Sequence, residues 1–356
     1  MMSAAIKYHC EIGNDLLEYH QISPARSYPS SVPAFSNLDC LGKVWRERTE
    51  AVLQRPQAEL PAKVLLSAQN CVLFGNGHVI LQDGTLVAET ISGSSVTTAP
   101  SFDLTDLEVM KGEYALLRKP GDSNFGHWLV EIVPRIIDFQ SSLGGDIRFL
   151  VPATPVQMAD LRKRSMQLMG VDEKRIVPVS AAPKIIERLH FITANSIHSH
   201  THDAESLKKM VKAIGSRKCP TRPGRRIFAG RDDALRRRLL NENDILRIAE
   251  RNGFETVYPE RLTLDEQIDV FSHSSMIAGV SGAALTNIVW ACPKTPVLSM
   301  LPNVGHEFFF WDIANIFDLS FSFIFGEAKN PELAGHSDFE VDPDLFEAWI
   351  SRFASP

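Results

Sequence analysis

The sequence predicts an α/β fold with two doubly wound, Rossmann-like halves, an interdomain cleft between them, and a small β-rich decoration near the N-terminus. From residue 113 onward, short apolar runs typical of buried strands alternate with amphipathic helical patterns, which favours mostly parallel sheets. The stretch SRKCPTRPG at 216–224 contains two prolines and a glycine and interrupts this alternation as a linker would. A second alternation begins after it, so we expect two consecutive halves of the doubly wound kind.

The N-terminal part of the chain departs from that pattern. Residues 1–60 are punctuated by Pro24, Pro29 and Pro33 and predict an arm with little packing. Between 70 and 92, apolar residues alternate around GNG and DG turns, which is typical of a β-meander. We therefore expect an antiparallel decoration on a first α/β domain that spans 61–215.

The predicted elements follow in chain order. In the first domain they are strand EYALLRKP, helix NFGHWLVEIVPRI, strand IRFLVP, helix PVQMADLRKRSMQLMG, strand RIVPVS and strand IIERLHFITA. In a second domain over 216–335 they are strand RRIFAG, helix LLNENDILRIAERNG, strand FETVYPE, helix LTLDEQIDVFSHSS, strand SMIAGV, helix GAALTNIVWAC, strand TPVLSML, helix EFFFWDIANIFDL and strand SFSFIFG. The pattern PDLFEAWISRFA predicts a closing helix within 336–356.

Composition excludes several classes of protein. The chain has 356 residues, 44% hydrophobic and 22% charged, which suits a globular protein with a substantial core. Its net charge of −6, with Lys and Arg spread widely, provides no basic field that would recruit nucleic acid. No run approaches the roughly 20 apolar residues of a membrane span, and the N-terminus lacks the apolar core of a signal peptide. We expect a soluble cytoplasmic protein, with peripheral membrane attachment left open.

Cysteine and histidine spacing argues against a disulfide framework or a metal centre. The five cysteines are scattered and lack any CxxC spacing: Cys10, Cys40, Cys71, Cys219 and Cys292. They predict reduced thiols. The His-rich stretch HSHTHD at 198–203 has no second cluster of ligands, so we predict no metal site there. A nucleophile pattern of the GxSxG kind is also absent from the sequence.

The stretch NFGHWLVEIVPRI at 124–136 carries polar groups in an otherwise apolar helical pattern. Asn124, His127, Glu131 and Arg135 follow at intervals of three, four and four residues, which places them on one helical face. Glu131 or His127 could remove a proton from a hydroxyl, with Asn124 and Arg135 in support. The alternative is a buried structural network. We favour function and expect this polar stripe to face the cleft.

Two further motifs follow predicted strands in the second half. In GRDDALRRRLLNE, Arg231 comes directly after a strand, where a doubly wound sheet presents residues that bind ligands. A guanidinium there can hold two phosphate oxygens, whereas the three arginines at 236–238 cannot all point inward. In GVSGAALTN, Gly279 and Gly282 bracket a tight turn between strand and helix that would let backbone N–H groups approach an anion. Neither a Walker loop nor GxGxxG is present.

These three blocks together resemble glycosyltransferase family 61, whose bacterial members often serve capsular or other surface polysaccharide synthesis. The resemblance covers roughly 110–325. It implies a GT-B enzyme that transfers a sugar from a nucleotide-sugar donor to a glycan or glycolipid acceptor with inversion, without cofactor or catalytic metal. On this chain the family's functional positions fall on two sets of residues. The catalytic pair is Glu131 and His127, and the donor-binding set is Arg231, Arg238, Asn241, Glu242, Ser281, Gly282, Ala283 and Ala284.

The resemblance is incomplete at two positions, and rival functions stay open. Many family members have histidine at the position of Ser281 and glutamate at that of Ser299. Our preferred interpretation is a single displacement with Glu131 as base, or His127 in its place. One rival is a degenerate protein that binds glycan without catalysis. Another is a different Rossmann enzyme acting on a phosphorylated small molecule. The sequence indicates neither the sugar, the nucleotide, the acceptor nor the oligomeric state.

Overall fold

The protein is described by a computed structural model. It describes residues 16–91, 98, 100–193, 196–197, 201–214, 224–231, 235–305 and 308–354. The predictions for Cys10, Cys219, the linker residues 216–223 and the histidines at 198 and 200 lie outside the described residues.

The described elements have the following bounds. The strands are β1 Leu17–Ser23, β2 Arg26–Pro29, β3 Gln57–Leu60, β4 Lys63–Phe74, β5 His78–Ile80, β6 Glu108–Leu116, β7 Arg148–Pro152, β8 Ile176–Val179, β9 Lys184–Ile192, β10 Ser196–Ile197, β11 Thr201–His202, β12 Arg225–Ala229, β13 Phe254–Val257, β14 Ser274–Val280, β15 Pro296–Pro302, β16 Ser320–Ala328 and β17 Phe339–Glu340. The helices are α1 Lys43–Leu53, α2 Ala88–Ile91, α3 Phe125–His127, α4 Arg135–Leu143, α5 Ala159–Leu168, α6 Ala204–Ile214, α7 Glu242–Arg251, α8 Leu264–Ser272, α9 Phe309–Phe317 and α10 Pro343–Ala354. Most predicted strands and helices are therefore confirmed.

The chain divides into two compact units. The described residues of unit 1 fall within Met1–Arg26, Glu59–His198 and Glu205–Ile214. Those of unit 2 fall within Ser27–Ala58, Ser199–Ala204 and Gly215–Pro356.

The predicted N-terminal arm over 1–60 is packed where the structure describes it. Strand β1 pairs antiparallel with β4 in unit 1. The following segment belongs to unit 2, where the Asn37 side chain donates to Phe325 O at 2.9 Å and accepts from Phe325 N at 2.8 Å. These contacts join residues almost 300 positions apart.

Unit 1 contains a mixed sheet in the order β1-β4-β9-β6-β7-β8, with β5 paired to β4. Strands β9, β6, β7 and β8 are parallel, whereas β4 is antiparallel to β1, β5 and β9. The antiparallel pairing predicted at 70–92 is present between β4 and β5. The first part of this segment is the end of the long strand β4, whose side chains Leu66, Cys71 and Leu73 are buried in the core of the unit.

Unit 2 contains a sheet in the order β13-β12-β14-β15-β16-β17, in which only β17 is antiparallel to its neighbour. The five parallel strands follow the order 2-1-3-4-5 that one group of doubly wound folds uses. Helix α10 is part of this unit rather than a separate closing segment over 336–356. Its Phe346, Trp349 and Ile350 are buried in one cluster with Phe228 and Phe254.

Two further predictions are tested by the described residues. Cys40 and Cys71 are free thiols, whereas Cys292 is in a disulfide bond, so the prediction of reduced thiols throughout is wrong for Cys292. Among the described helices, none combines the length and the apolar character needed to cross a bilayer.

Candidate functional site

The polar stripe of 124–136 does not form one regular α-helix. Asn124 is the N-cap of the short helix α3, and its Oδ1 accepts from the N–H of Gly126 at 2.8 Å. The backbone then widens into a π-helix, Trp128–Ile132, before α4 begins. Pro134 has no N–H with which to continue an α-helical hydrogen-bond pattern. π-Helical turns occur frequently at functional sites.

The three other stripe residues are in contact: His127 and Arg135 both bind Glu131, whose carboxylate is buried. Glu131 is 0% exposed, and its Oε2 accepts from Nδ1 of His127 at 2.9 Å. Arg135, which is also buried, donates from Nε to the backbone oxygen of Glu131 at 2.9 Å. The predicted contact between His127 and Glu131 is confirmed. Asn124 is exposed and His127 has 30% of its side chain exposed, whereas Glu131 and Arg135 are buried.

Lys119 completes this network, and no sequence pattern singled it out. Its Nζ contacts the same Oε2 of Glu131 that binds His127. Burial lowers the pKa of Lys119, and the charge of Glu131 opposes that change. One signal could have located it, because Lys119 follows closely after the parallel strand β6, at the sheet edge where ligands bind.

Asp122, two arginines and a glycine hold the loop between β6 and α3. Asp122 accepts from Nε of Arg118 at 3.0 Å, and both side chains are buried. Burial raises the pKa of Asp122, with the charge of Arg118 as the main opposing influence. Arg162 donates to the backbone oxygen of Asp122 at 3.2 Å. Gly121 has φ +89°, and a Cβ there would lie 3.0 Å from Cδ2 of His127, so glycine permits this close approach.

The second group of predicted residues lies in unit 2, at the carboxyl ends of β12 and β14. These strands are neighbours at the point where the strand order reverses, which is where doubly wound sheets bind ligands. Arg231 donates from Nη1 to the backbone oxygen of Arg237 and from Nη2 to that of Arg236, both at 3.1 Å. A Cβ added to Gly282 would lie 3.2 Å from Nε of Arg231. Arg231 and the turn after β14 are therefore adjacent, as the sequence predicted.

Among the arginines at 236–238, the inward side chain is Arg237. Its Nη1 donates to the backbone oxygen of Ser281 at 2.8 Å and to Oγ at 3.2 Å, and its Nε donates to Gly335 O at 2.6 Å. The φ of Arg237 is +56°, a left-handed conformation that turns the chain at this point. Arg238, which the sequence assigned to the donor site, is 60% exposed and pairs with Asp338 at 2.6 Å. The role of Arg238 in donor binding stays a prediction.

Asn241 and Glu242 have different environments although they are adjacent. The side chain of Asn241 donates to Val341 O at 2.7 Å and accepts from Val341 N at 3.2 Å, so it joins two backbone segments. Its predicted contact with the donor stays a prediction. Glu242 is half-buried at the start of α7, and burial raises its pKa while the charge of Arg231 lowers it.

The predicted helix after β14 is a 3₁₀-helix, Ala283–Trp290, preceded by Gly282 in an extended conformation. Ser281 is buried, and its N–H donates to Met300 O at 2.8 Å. Gly282, Ala283 and Ala284 are partly exposed at the start of this helix. Ser299 lies within β15 beside Gly279 of β14 and is buried.

No cluster of metal ligands accompanies these two groups within the described part of the chain. Groups of three or more His, Cys, Asp or Glu side chains arranged for a metal ion do not occur among the residues that the structure describes. His202, from the His-rich stretch, is buried, and its Nδ1 lies 2.7 Å from Oδ2 of Asp312.

One comparison with known proteins, the match to a family model, agrees with the resemblance noted above. Residues 125–298 match the model of the family described as Glycosyltransferase 61, and the matched segment contains both polar groups. Among solved structures, the chain is similar to the bacterial iron-containing dodecameric glycosyltransferase TibC from enterotoxigenic E. coli H10407. The identity is 11% and the TM-score 0.30, over 70% of this chain and 79% of that one. A search of curated proteins found no match.

Proposed function

We propose that this chain, whose match to glycosyltransferase family 61 supports a glycosyltransferase, moves a sugar with inversion from a nucleotide-sugar donor to a hydroxyl group. The acceptor is a glycan or glycolipid of surface polysaccharide synthesis. The observation that carries the proposal is that one family match, over 125–298, includes both the His127–Glu131 pair and the Arg231–Gly282 pair. The GT-B arrangement, a cytoplasmic location and peripheral attachment to the inner membrane are parts of the same proposal.

In this reaction His127 is the base, in preference to Glu131. Glu131 is completely buried, whereas His127 is partly exposed. An ionised carboxylate only accepts hydrogen bonds, so Nδ1 of His127 carries the proton and Nε2 keeps the lone pair. Nε2 takes the proton of the acceptor hydroxyl as its oxygen attacks the anomeric carbon. The bond from that carbon to the diphosphate oxygen breaks, and the electron pair leaves with the diphosphate.

The departing diphosphate is bound by Arg231 and by the turn from Ser281 to Ala284. Arg231 is already oriented by two backbone oxygens, so little reorganisation is needed when negative charge develops beside it. Arg237 holds Ser281 in place through hydrogen bonds to its backbone oxygen and its Oγ. In this proposal guanidinium groups offset the phosphate charge without a metal ion or cofactor.

A second candidate is a degenerate family member that binds glycan without turnover. Ser281 and Ser299 favour it, since many family members have histidine and glutamate at those positions. Both serines are buried, and Ser281 is engaged by Arg237. Such a protein would show no binding of nucleotide sugars.

The first experiment is a thermal-shift screen of nucleoside diphosphates and nucleotide sugars, with and without EDTA. A nucleotide at a hundredfold excess over its Kd stabilises the native protein by about 2.7 kcal/mol. We expect a shift that EDTA does not abolish, that is lost in Arg231→Ala and that is kept in Arg247→Ala, an exposed arginine of α7. Absence of any shift would support the degenerate alternative.

A transfer assay with the donor found in this screen then tests the base. We expect His127→Gln and Glu131→Gln to lower kcat by roughly 10²–10⁴-fold, the usual contribution of acid–base catalysis, with little change in donor affinity. Full transfer activity in either variant would exclude the proposed roles of this pair.

A further inference from the structure

The 3₁₀-helix Ala283–Trp290 is tied to helix α8 by buried side-chain amides. Asn287 is 0% exposed, and its Nδ2 donates to Oε1 of Gln267 in α8 at 2.9 Å and to the backbone oxygen of Ala284 at 3.2 Å. Its Oδ1 accepts from Nε1 of Trp290 at 3.2 Å. Both hydrogens of the Asn287 amide and its oxygen therefore have partners, all of them within unit 2.

Gln267 connects the amide of Asn287 to the loop that precedes α8. Its side chain is buried, and its Nε2 donates to the backbone oxygen of Leu262 at 3.1 Å. The side-chain bonds run in one direction, from Trp290 to Asn287 and from Asn287 to Gln267. A buried polar network whose members are all satisfied makes the surrounding structure rigid and specifies one geometry. Removal of the Asn287 amide would leave the partner groups buried and unpaired, so this geometry would be lost.

The network follows a row of side chains that a 3₁₀-helix aligns and an α-helix does not. With three residues per turn, Ala284, Asn287 and Trp290 are eclipsed along one face. In an α-helix the same positions would be displaced by about 60° around the axis at each step. Runs of 3₁₀-helix longer than three or four residues are uncommon, because their hydrogen bonds have poorer geometry. This run has eight residues, and the amide contacts with α8 support it.

We propose that Asn287 is a positioning residue that holds the turn from Ser281 to Ala284 in the orientation that binds the diphosphate of the donor. The inference rests on the proposed function, in which this turn and Arg231 bind the departing diphosphate. The first N–H groups of a helix point out of its start, where an anion can meet them. The form of the first turn therefore sets the direction of these groups. Asn287 acts on them through the backbone of Ala284 and not on the ligand itself.

This role differs from that of a residue that merely supports the fold. A loss of global stability lowers the melting temperature, but it leaves the Kd of the folded protein unchanged well below that temperature. A loss of positioning raises the Kd itself, because the turn has to be ordered again each time the anion binds. Calorimetric titration with inorganic pyrophosphate separates the two roles, since this ligand contains the diphosphate and lacks the nucleoside and the sugar.

The test compares Asn287→Leu, Gln267→Met and Ile350→Ala with the unmodified protein at a temperature at which the proteins are folded. Leucine and methionine approximate the shape of the amides that they replace without their hydrogen-bonding groups. Ile350 is buried in the cluster around α10, so its truncation is a destabilising control outside the network. We expect pyrophosphate to bind about tenfold more weakly to Asn287→Leu and Gln267→Met, or about 1.4 kcal/mol, and as tightly as before to Ile350→Ala.

Gln267→Met retains the amide of Asn287, so it carries the test where Asn287→Leu does not fold. Unchanged binding of pyrophosphate in the folded network variants would overturn the inference, and so would an equal loss in Ile350→Ala. Either result would leave the proposed function standing, because the unmodified protein still binds the diphosphate. If the unmodified protein binds neither pyrophosphate nor any nucleoside diphosphate of the screen, the proposed function is refuted and the inference fails with it.

Discussion

Replacement of Arg237 tests its inward position in unit 2. Among the described residues, Arg237 donates three hydrogen bonds, to the backbone oxygen and Oγ of Ser281 and to the backbone oxygen of Gly335. At a net 0.5–1.5 kcal/mol each, their loss in Arg237→Ala costs roughly 2–4 kcal/mol. Arg238 is largely exposed, and its ion pair with Asp338 is of the surface kind that contributes little. We therefore expect Arg238→Ala to leave the melting temperature nearly unchanged.

The left-handed backbone of Arg237 allows a second comparison at the same position. A residue with a Cβ pays about 1–2 kcal/mol in this conformation, whereas glycine does not but loses about 0.5–1 kcal/mol more chain entropy on folding. Arg237→Gly should thus be about 1 kcal/mol more stable than Arg237→Ala, although both lack the same three hydrogen bonds. For a unit of this size that difference corresponds to about 2–4 °C in the melting temperature.

The assay is thermal unfolding of the four proteins, repeated with the nucleoside diphosphate that gives the largest shift in the screen. Arg231 bonds to backbone oxygens of the same short segment, so both Arg237 variants should bind the nucleotide about tenfold more weakly, or about 1.4 kcal/mol. The reasoning is refuted if Arg238→Ala is as damaging as Arg237→Ala. It is also refuted if glycine at position 237 is no more stable than alanine.

Two predictions on stability concern unit 2. Trp349 is 0% exposed, and its Nε1 has no hydrogen-bond partner among the described residues. Trp349→Ala should therefore lower the free energy of unfolding by about 3–5 kcal/mol. Trp349→Phe should lower it far less, because removal of the unpaired N–H offsets part of the lost packing. An alanine variant with an unchanged melting temperature would contradict the place of α10 in the core. Asp312 accepts hydrogen bonds from the Tyr28 hydroxyl at 2.6 Å and from the N–H of His202 at 2.8 Å. In the same thermal measurement, Asp312→Ala should lower the free energy of unfolding by about 3–5 kcal/mol, and Tyr28→Phe should lower it by about 1 kcal/mol. Equal losses in these two variants would show that the carboxylate has no special role.

The sequence predicted the elements of unit 2 better than those of unit 1, for a physical reason. Parallel strands that are buried on both faces appear in the sequence as continuous apolar runs. The start of a helix is also marked by local residues, as at Thr263, which forms a complete capping box with Glu266. The antiparallel pairing of β4 with β1 and β9 joins distant segments that no local period reveals. The same is true of Asn37, whose partner Phe325 belongs to a strand near the other end of the chain.

Contacts within the candidate site were predictable where they follow from the spacing of residues along the chain. The burial of each side chain was not predictable in this way. A separation of four residues brought His127 to Glu131, even through a π-turn. That separation does not tell how deeply each side chain lies, and the burial of Glu131 is the reason why we propose His127 as the base. The choice among the arginines at 236–238 depends on the left-handed φ of Arg237, which a non-glycine residue rarely adopts and sequence reasoning therefore does not expect.

The position of a cation just after a parallel strand locates both Lys119 and Arg231. Each lies within three residues of the carboxyl end of a parallel strand, β6 for Lys119 and β12 for Arg231. In doubly wound sheets the loops at that edge surround the ligand, so a cation there is placed by topology before any side-chain contact is considered. Burial distinguishes the two cations: Arg231 is partly exposed beside Gly282, whereas the Lys119 ammonium contacts a carboxylate that solvent does not reach.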